Sequence, residues 1–337
     1  MAFISLLRNS FFMKSNFSEN QSESDLPLIS VAMATYNGDR YLEEQIDSIL
    51  SQTYPNLEIV ICDDLSRDST REILQRYEKA HDNVSLIFNS ENKGVVRSFE
   101  TAISLCKGDF IALSDQDDIF LPEKIFELYR HIGDAYLIHC DSVLIDSKGN
   151  TLHPSYFAYS KTKDKHVFTD YLLGNNVTGN SVLIRKELAR FSLPFPKGIR
   201  MHDHYLALAA CYLGKIEFFD LPLQLYRQHD KNVIGANLGN FDTFLKESRK
   251  GYLSDHSILR AGIFPKYKKE IELQRDFKRA IFKGKWKSRY SLLKLLDVPG
   301  GKKMMVYYFL FCGFWGDPIR NLFYSLLTSM KKTKQSA

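Results

Sequence analysis

Residues 108–118 read GDFIALSDQDD, an apolar run that ends in three carboxylates within four positions. The part Asp109–Leu113 predicts a β-strand buried on both faces, because uninterrupted apolar segments of this kind are typical of parallel sheets covered by helices. Two earlier segments, Leu28–Ala34 and Leu57–Cys62, repeat the arrangement: each is apolar, β-prone and followed at once by polar side chains. The chain therefore repeats a unit in which a buried strand ends in a polar cluster.

The segments between these strands have the spacing of helices. Apolar side chains recur along one face of Tyr41–Leu50, Asp68 can cap a helix that runs through Tyr77, and Val95–Cys106 predicts a third helix. With a further strand at Val84–Phe88, strands and helices alternate at the length of βαβ units. This predicts an α/β fold with a mainly parallel sheet and helices on both faces, which binds ligands at the carboxyl ends of its strands.

Carboxylates follow two of the predicted strands. Asp115, Asp117 and Asp118 repel one another unless a cation neutralises them, and oxygen ligands of this kind suit Mg²⁺ or Mn²⁺. The alternative is a solvated acidic turn that caps the helix beginning near Pro122. Asp63 directly follows the second strand and is predicted to accept hydrogen bonds from a nucleotide base or ribose, with an ordinary turn and helix cap as the alternative.

Composition excludes several other classes of protein. The 337 residues are 44% hydrophobic and 25% charged, which is ordinary for a globular chain. The five cysteines are scattered and predict neither a disulfide framework nor a structural zinc site. The sequence has no Gly-rich phosphate loop of the dinucleotide-binding or P-loop type, and no run of apolar residues long enough to span a membrane.

Charge is divided unequally along the chain. Residues 246–337 hold 21 Lys/Arg and 7 Asp/Glu, a net charge of +14, whereas residues 1–245 hold 24 and 33, a net charge of −9. Within the basic part, Met304–Trp315 (MMVYYFLFCGFW) follows two lysines, a pattern typical of a segment that lies in an anionic membrane surface. The alternatives are a helix packed on the rest of the chain and a homodimer through the C-terminal helices. No motif for nucleic-acid binding is visible.

Together these pieces resemble a family 2 glycosyltransferase with the GT-A fold. The resemblance covers roughly residues 27–235 and rests on the order and spacing of four segments. They are Ile29–Asn37 (ISVAMATYN), Ile61–Thr70 (ICDDLSRDST), Asn92–Gly94 (NKG) and Gly108–Asp118. The resemblance implies a nucleotide-sugar donor, with a UDP- or dTDP-sugar expected, and a divalent cation on the donor diphosphate. The residues implied to bind the donor are Thr35, Tyr36, Asn37, Asp63, Lys93, Asp115 and Gln116, with Asp117 on the metal.

The second half of the chain resembles the rhamnosyltransferase-like branch of this family. The sequence MHDHY opens a helix where the family carries its catalytic acid, which implies that Asp203 is the base that deprotonates the acceptor. A helix N-cap is the alternative for this residue. The segment Leu225–Asn232 (LYRQHDKN) implies that Arg227 pairs with the diphosphate and that His229 binds the metal or the diphosphate. A surface salt bridge is the alternative for the arginine.

The function implied by the resemblance is that of an inverting, metal-dependent glycosyltransferase in surface polysaccharide biosynthesis. It would move a sugar from a nucleoside-diphosphate sugar to a hydroxyl of a saccharide or lipid-linked saccharide acceptor. Two features depart from the family: His202 stands where an acid often precedes the catalytic Asp, and the Gln-x-x-Arg-Trp element of polymer-extruding synthases is absent. A non-catalytic sugar-nucleotide-binding module of the same fold and a nucleotidyltransferase are the alternatives, although the latter should have a Gly-rich basic segment after the first strand.

The predicted organisation has three parts. Residues 1–26 form a flexible N-terminal arm, residues 27–240 the GT-A domain, and residues 241–337 a helical, basic region that associates with membrane. Unpaired cysteines and a basic tail predict a cytoplasmic protein that is peripheral on the inner face of the cell membrane.

Overall fold

The computed structural model describes residues 25–160, 167–173, 175–230, 250 and 253–283. Within them the strands are β1 (Ile29–Thr35), β2 (Leu57–Asp63), β3 (Val84–Phe88), β4 (Phe110–Ser114), β5 (Ile119–Phe120), β6 (Leu137–Ile145), β7 (Thr151–His153), β8 (Val182–Arg185) and β9 (Ile216–Arg227). The α-helices are α1 (Leu42–Leu50), α2 (Thr70–Ala80), α3 (Val95–Leu105), α4 (Lys124–His131), α5 (Tyr156–Ser160), α6 (Phe168–Leu173), α7 (Lys186–Ser192), α8 (His202–Leu213) and α9 (Lys268–Lys283), and residues 253–261 are also helical.

A single sheet joins all of these strands, in the order β3-β2-β1-β4-β8-β6-β9-β5, with β7 paired to β6. Strands β3, β2, β1 and β4 are parallel, and β9 is parallel to β6. Strand β8 is antiparallel to both of its neighbours, β4 and β6. The predicted α/β fold is therefore confirmed, and its four N-terminal strands lie within one residue of the predicted bounds.

Side chains of the parallel strands alternate between two hydrophobic cores. Val31 and Ile59 pack with α1, α2 and α4 on one face of the sheet, whereas Ala32 and Val60 pack with α3 and α8 on the other. This alternation follows from the pleat of a strand, in which successive side chains point to opposite faces. Because helices cover both faces, these strands are apolar throughout, which is why they could be recognised in the sequence.

The strand register brings the polar clusters to one edge of the sheet. Thr35 at the end of β1 is paired with Asp63 at the end of β2, and Met33 is paired with Ser114 at the end of β4. On the other side of the sheet β9 pairs with β5, so that Leu225 lies opposite Ile119. The residues after β9 therefore lie next to the acidic residues that precede β5.

Several predictions concern segments outside the described residues. These are residues 1–24 of the N-terminal arm, Lys231 and Asn232, and most of the basic region, including Met304–Trp315. The division into arm, domain and C-terminal region stays a prediction, as do membrane association and dimerisation. Among the residues that the structure does describe, none of the helices combines the length and the apolar character needed to cross a bilayer.

Candidate active site

A cavity of about 800 Å³ lies at the carboxyl ends of β1, β2 and β4. Eight of the eleven residues that the sequence predicts for the site lie in its walls: Thr35, Tyr36, Asn37, Asp115, Gln116, Asp117, Asp203 and His229. The other three, Asp63, Lys93 and Arg227, are not in the walls. The structure thus brings residues from both halves of the chain to one place.

The turn between β4 and β5, residues 115–118, is called the acidic turn below. Asp115 and Asp117 line the cavity, whereas Asp118 is fully buried. Asp118 accepts hydrogen bonds from the backbone N–H of Arg227 (2.9 Å) and from the side-chain amide of Asn180. Burial, together with the charge of Asp117, raises the pKa of Asp118 to about 7, and burial and the neighbouring acids raise the pKa of Asp115 as well. A nearby cation would relieve this repulsion.

The end of β9 packs against the acidic turn. His229 Nε2 lies 2.7 Å from Oδ2 of Asp117, so the structure brings together the two residues predicted to bind the metal. Arg227 donates from Nε to the backbone oxygen of Asp117 (2.9 Å) and from Nη2 to Glu44 (2.6 Å), and its guanidinium lies 4.5 Å from the ring centroid of Tyr41. Arg227 thus joins β9, α1 and the acidic turn, and its contact with the diphosphate stays a prediction.

Gln116 holds the loop that follows β1. Its Oε1 accepts a hydrogen bond from the backbone N–H of Tyr36 (2.8 Å), and its Nε2 donates to the backbone oxygen of the same residue (3.1 Å). Gly38 lies directly against this carboxamide, since a Cβ there would be 2.5 Å from Cδ of Gln116. Gln116 is in the cavity wall as predicted, but its polar atoms bind protein backbone and fix the position of Tyr36.

Strand β2 includes Asp63 as its last residue, and this places the Asp63 carboxylate below the cavity. The side chain has no exposed surface and accepts hydrogen bonds from Oγ1 of Thr35 (3.1 Å) and the backbone N–H of Ser66 (3.0 Å). Nε of Arg71 lies 3.3 Å from it. These protein contacts hold the Asp63 carboxylate inside the sheet edge and outside the cavity wall, and its contact with a base or ribose stays a prediction.

The neighbouring acid, Asp64, lies in the cavity wall instead. Its carboxylate accepts hydrogen bonds from the backbone N–H groups of Lys93 and Gly94 (2.8 Å each) and from the amide of Asn89 (2.9 Å). The Lys93 side chain is exposed and outside the wall. Asp64 therefore binds the backbone of the NKG segment, at the start of α3.

Asp203 is the second residue of α8 and is partly buried in the cavity wall. The backbone N–H of His204 donates to its Oδ1 (2.6 Å), and the N–H of Gly179 also faces the carboxylate. Burial raises the pKa of Asp203 to about 6, although both amides and the charge of Arg200 oppose the rise. Met201 is the N-cap of the helix, so the alternative in which Asp203 is a cap does not describe the structure.

The walls also contain residues that sequence reasoning missed. Arg40 and Arg200 are exposed cations in the cavity wall. Each follows a polar or turn-forming stretch, which is the only feature of the sequence that could have indicated a place in the site. His202 is buried, stacks on Phe99 at 4.0 Å, and has no hydrogen-bond partner for either nitrogen within the described part of the chain. Burial lowers the pKa of His202 to about 3, so its imidazole is neutral at physiological pH.

The donor atoms fit a metal that is shared with a substrate. No group of three or more His, Cys, Asp or Glu side chains is arranged around a metal site in residues 25–160, 167–173, 175–230, 250 or 253–283. A Mg²⁺ or Mn²⁺ ion that also binds substrate phosphates needs only one or two protein carboxylates. Asp117, with Asp115 beside it, offers oxygen ligands of this kind in the cavity wall.

A mixed sheet with an acidic turn and a second carboxylate in one cavity fits an enzyme that transfers a group from a phosphate-containing donor. The sequence matches the family described as glycosyl transferase family 2 over residues 30–191. The dTDP-rhamnosyl transferase RfbG of Shigella flexneri is 30% identical over 227 residues, which cover 61% of this chain and 74% of that protein. The chain belongs to glycosyl transferase family 2, which confirms the predicted resemblance.

Other relatives share only part of their length with this chain. EpsE of Bacillus subtilis (strain 168) is 40% identical over 122 residues, 33% of this chain and 44% of that protein. Chondroitin synthase of Escherichia coli is 32% identical over 149 residues, 43% of this chain and 22% of that protein. The chain thus spans less than half the length of these two relatives.

Solved structures confirm the GT-A fold. TarS 1-349 of S. aureus, in complex with UDP-GlcNAc, has a TM-score of 0.55 and 17% identity, with 83% of each chain covered. The mannosyltransferase PcManGT of Pyrobaculum calidifontis, in complex with GDP-Man and Mn²⁺, has a TM-score of 0.54 and 15% identity, with 96% of this chain and 90% of that chain covered.

Proposed function

We propose that this chain is an inverting glycosyltransferase that requires Mg²⁺ or Mn²⁺ and acts in surface polysaccharide biosynthesis. It moves a sugar from a nucleoside-diphosphate sugar to a hydroxyl of a saccharide acceptor. The observation that carries the proposal is that the acidic turn and Asp203 lie in the walls of the same cavity. The ligands of TarS and PcManGT support a nucleotide-sugar donor, and the name of RfbG makes a dTDP-sugar the first donor to test.

The acidic turn serves the leaving group. Loss of a nucleoside diphosphate develops negative charge, which positive charge fixed nearby stabilises. A divalent cation, when bound to Asp117, supplies that charge to the diphosphate. His229 hydrogen-bonds the Asp117 carboxylate and orients it, and Arg40 adds a cation to the same cavity.

Asp203 serves the acceptor. An acceptor hydroxyl must lose its proton as its oxygen attacks the anomeric carbon, and a carboxylate within hydrogen-bond reach takes that proton. With a pKa of about 6, Asp203 is mostly ionised at neutral pH and is a stronger base than an ordinary aspartate. A single displacement assisted by one base inverts the anomeric centre.

The experiment that tests this function is a donor panel. UDP-, dTDP- and GDP-sugars are incubated with the full chain, with and without Mn²⁺, and donor hydrolysis and transfer to saccharide acceptors are measured. We expect turnover of one nucleotide class, dependent on the ion. Tight binding of a donor without turnover under any condition would favour the binding module, and release of pyrophosphate from a nucleoside triphosphate and a sugar phosphate would favour a nucleotidyltransferase.

A lipid-linked acceptor at the inner face of the cell membrane is part of the proposal. Its support is the charge distribution, because the net charge of +14 over residues 246–337 favours an anionic surface. We expect the full chain to sediment with vesicles that contain anionic lipid, and a variant that ends at residue 299 to stay in the supernatant. Sedimentation of the shortened chain with the same vesicles would contradict an anchor in residues 300–337.

The contact between Gly38 and Gln116 gives a prediction about donor binding. Gly38→Ala places a methyl group against the Gln116 carboxamide, which must then move and release the backbone of Tyr36. Because Tyr36 lies in the cavity wall, we expect the KM for the donor to rise about tenfold. Gln116→Leu should give the same change. Gly133→Ala is the matched control, because Gly133 has φ +50° and nothing near its Cβ position: it strains the backbone but leaves the cavity alone. Equal donor KM values in all three variants would contradict a role of the Gln116 carboxamide in donor binding through Tyr36.

A further inference from the structure

Lys124, the first residue of α4, is a fully buried amine that the chemistry above does not use. Burial lowers its pKa to about 7, although Cys140, Asp118 and Asp115 oppose the fall, so charged and neutral forms are both populated at neutral pH. Its Nζ donates to the backbone oxygen of Asn180 (2.5 Å) and to Oε1 of Gln224 (2.6 Å), and it lies 3.2 Å from the ring centroid of Phe120. A buried ammonium is unfavourable unless its hydrogens are bonded. These contacts satisfy the hydrogens of the amine and hold it in place, and one of them ends on the backbone of a residue in the cavity wall.

Asn180 is the residue where several of these contacts meet. Its side-chain amide donates to Asp118 in the acidic turn, and its Oδ1 accepts from Nε2 of Gln224 (3.0 Å). Gln224 also donates to Oγ of Ser142 (2.9 Å). The side chain of Asn180 is thus tied to the acidic turn and to β9, while Lys124 holds its backbone oxygen.

The residue before Asn180 reaches the other carboxylate. The N–H of Gly179 faces Asp203 and stabilises its charged form. Gly179 is closely surrounded: a Cβ there would lie 2.9 Å from Nε2 of His202 and 3.7 Å from Cβ of Asp203. The two-residue segment Gly179–Asn180 therefore contacts Asp203 at one end and the acidic turn at the other.

We propose that Lys124 is a positioning residue of the transfer reaction, because its bond to the Asn180 carbonyl fixes the Gly179–Asn180 segment between Asp203 and the acidic turn. This rests on the proposed function of Asp203 as the base. An amine that donates to two acceptors leaves the carbonyl little freedom to shift. Without it the carbonyl is left unbonded in the interior, and the segment moves relative to the carboxylate that it orients.

Lys124→Met keeps an unbranched side chain that is one atom shorter, and it removes the charge and the donors. We expect kcat to fall about 10²-fold while the KM for the donor changes less than about threefold, because the reacting groups are misplaced and the donor contacts are not. Lys124→Gln, which keeps an N–H donor, should recover part of the lost kcat. Lys186→Met is the matched control. Nζ of Lys186 also donates to a backbone oxygen, that of Lys107 (2.5 Å), but at the opposite end of β4. We expect the kcat of Lys186→Met to stay at the wild-type value.

The pH profile separates positioning from general structural damage. Transfer requires ionised Asp203, so kcat falls as the pH drops through about 6. Loss of the Gly179 N–H raises the pKa of Asp203, and this limb of the profile moves to higher pH in Lys124→Met but not in Lys186→Met. The charged and titratable groups that face Asp203 are Arg200, His202 and His204 near its own helix, Tyr156 from α5 and Asp115 from the acidic turn. Lys124 itself favours the charged form of Asp115. Lys124→Met and Lys124→Gln lose the same charge, so the part of the shift that is due to positioning is the difference between these two variants.

Three results would decide the matter. A folded Lys124→Met protein with the kcat and acid limb of Lys186→Met overturns the positioning role. If Lys124→Met does not fold, Gly179→Ala replaces it, because its methyl group pushes the same segment from the side of His202; an unshifted acid limb in that variant overturns the proposal. Full transfer by Asp203→Asn overturns the assignment of Asp203 as the base. Loss of transfer in Asp203→Asn, together with wild-type kinetics of Lys124→Met, overturns only the positioning role of Lys124.

Discussion

Asp117→Asn is expected to lower Mn²⁺-dependent transfer at least about 10³-fold, because the variant keeps the shape of the side chain and removes the charge that holds the cation. The fold should survive. The backbone oxygen of Asp117, which accepts from Nε of Arg227, is untouched, and the new amide can still meet His229. Titration with Mn²⁺ in the presence of the donor should show weaker binding of the ion, while the nucleoside portion of the donor still binds.

The control for this prediction is an acid of similar size outside the cavity. Asp134 is exposed and paired with Lys215 (3.1 Å), so Asp134→Asn changes the net charge by the same amount without touching the acidic turn. We expect its transfer rate and Mn²⁺ dependence to match the wild type. Full activity of Asp117→Asn, or equal loss in both variants, would show that the acidic turn does not hold the ion.

The positions that could be predicted from the sequence are those set by the ends of strands. The parallel strands are apolar because both faces are covered, so their ends are visible in the sequence, and polar residues at those ends meet at one edge. This reasoning from strand ends predicted that Asp115 and Asp117 lie in the candidate active site, and both line the cavity. Asp203 required the resemblance to a family, because nothing in its local spacing distinguishes a base from a helix cap.

The choice between Asp63 and Asp64 shows the limit of that reasoning. Strand β2 runs one residue further than the apolar pattern indicates, and successive side chains of a strand point to opposite sides. Asp63 therefore turns inward to Thr35 and Ser66, and Asp64 lines the cavity. A shift of one residue in the strand end decides which of two identical side chains lines the cavity, and the sequence holds no signal for that shift.

Contacts between distant segments could not be predicted at all. Lys124 reaches Asn180 across 56 residues and Gln224 across 100, and Gln116 reaches Tyr36 across 80. Long polar side chains are usually exposed, so each of these would ordinarily be assigned to the surface. Only the packed structure shows that their donors and acceptors end on the backbone that surrounds the cavity.

Asp203→Asn is expected to bind the donor normally and to lose transfer by about 10²–10⁴-fold, the usual contribution of a positioned general base. The amide cannot take the proton of the acceptor hydroxyl, but it keeps the size of the carboxylate and leaves the residues of the acidic turn in place. Donor affinity and transfer are therefore measured separately, the first by titration with the intact nucleotide sugar. Transfer at the wild-type rate would place the base elsewhere.

Asp203→Asn should also stabilise the protein at neutral pH. This result would distinguish a carboxylate whose charge the fold disfavours from one that stabilises the fold. Burial raises the folded-state pKa of Asp203 from 3.8 to about 6, so the contribution of this group to stability is fully present below pH 3.8 and is lost as the pH rises through about 6. Asp203→Asn avoids this loss and should be more stable than the wild type by on the order of 2 kcal/mol at pH 7, with no gain at pH 3 to 4.

Urea unfolding at both pH values measures this difference, with Glu187→Gln as the control. Glu187 is an exposed acid in the first turn of α7, where its charge favours the helix, so its replacement should slightly lower stability and leave transfer intact. A carboxylate that only caps or supports α8 would behave like Glu187. A gain in stability together with a loss of transfer in Asp203→Asn requires two things. The folded protein must disfavour the charge of this carboxylate, and the transfer reaction must need that charge.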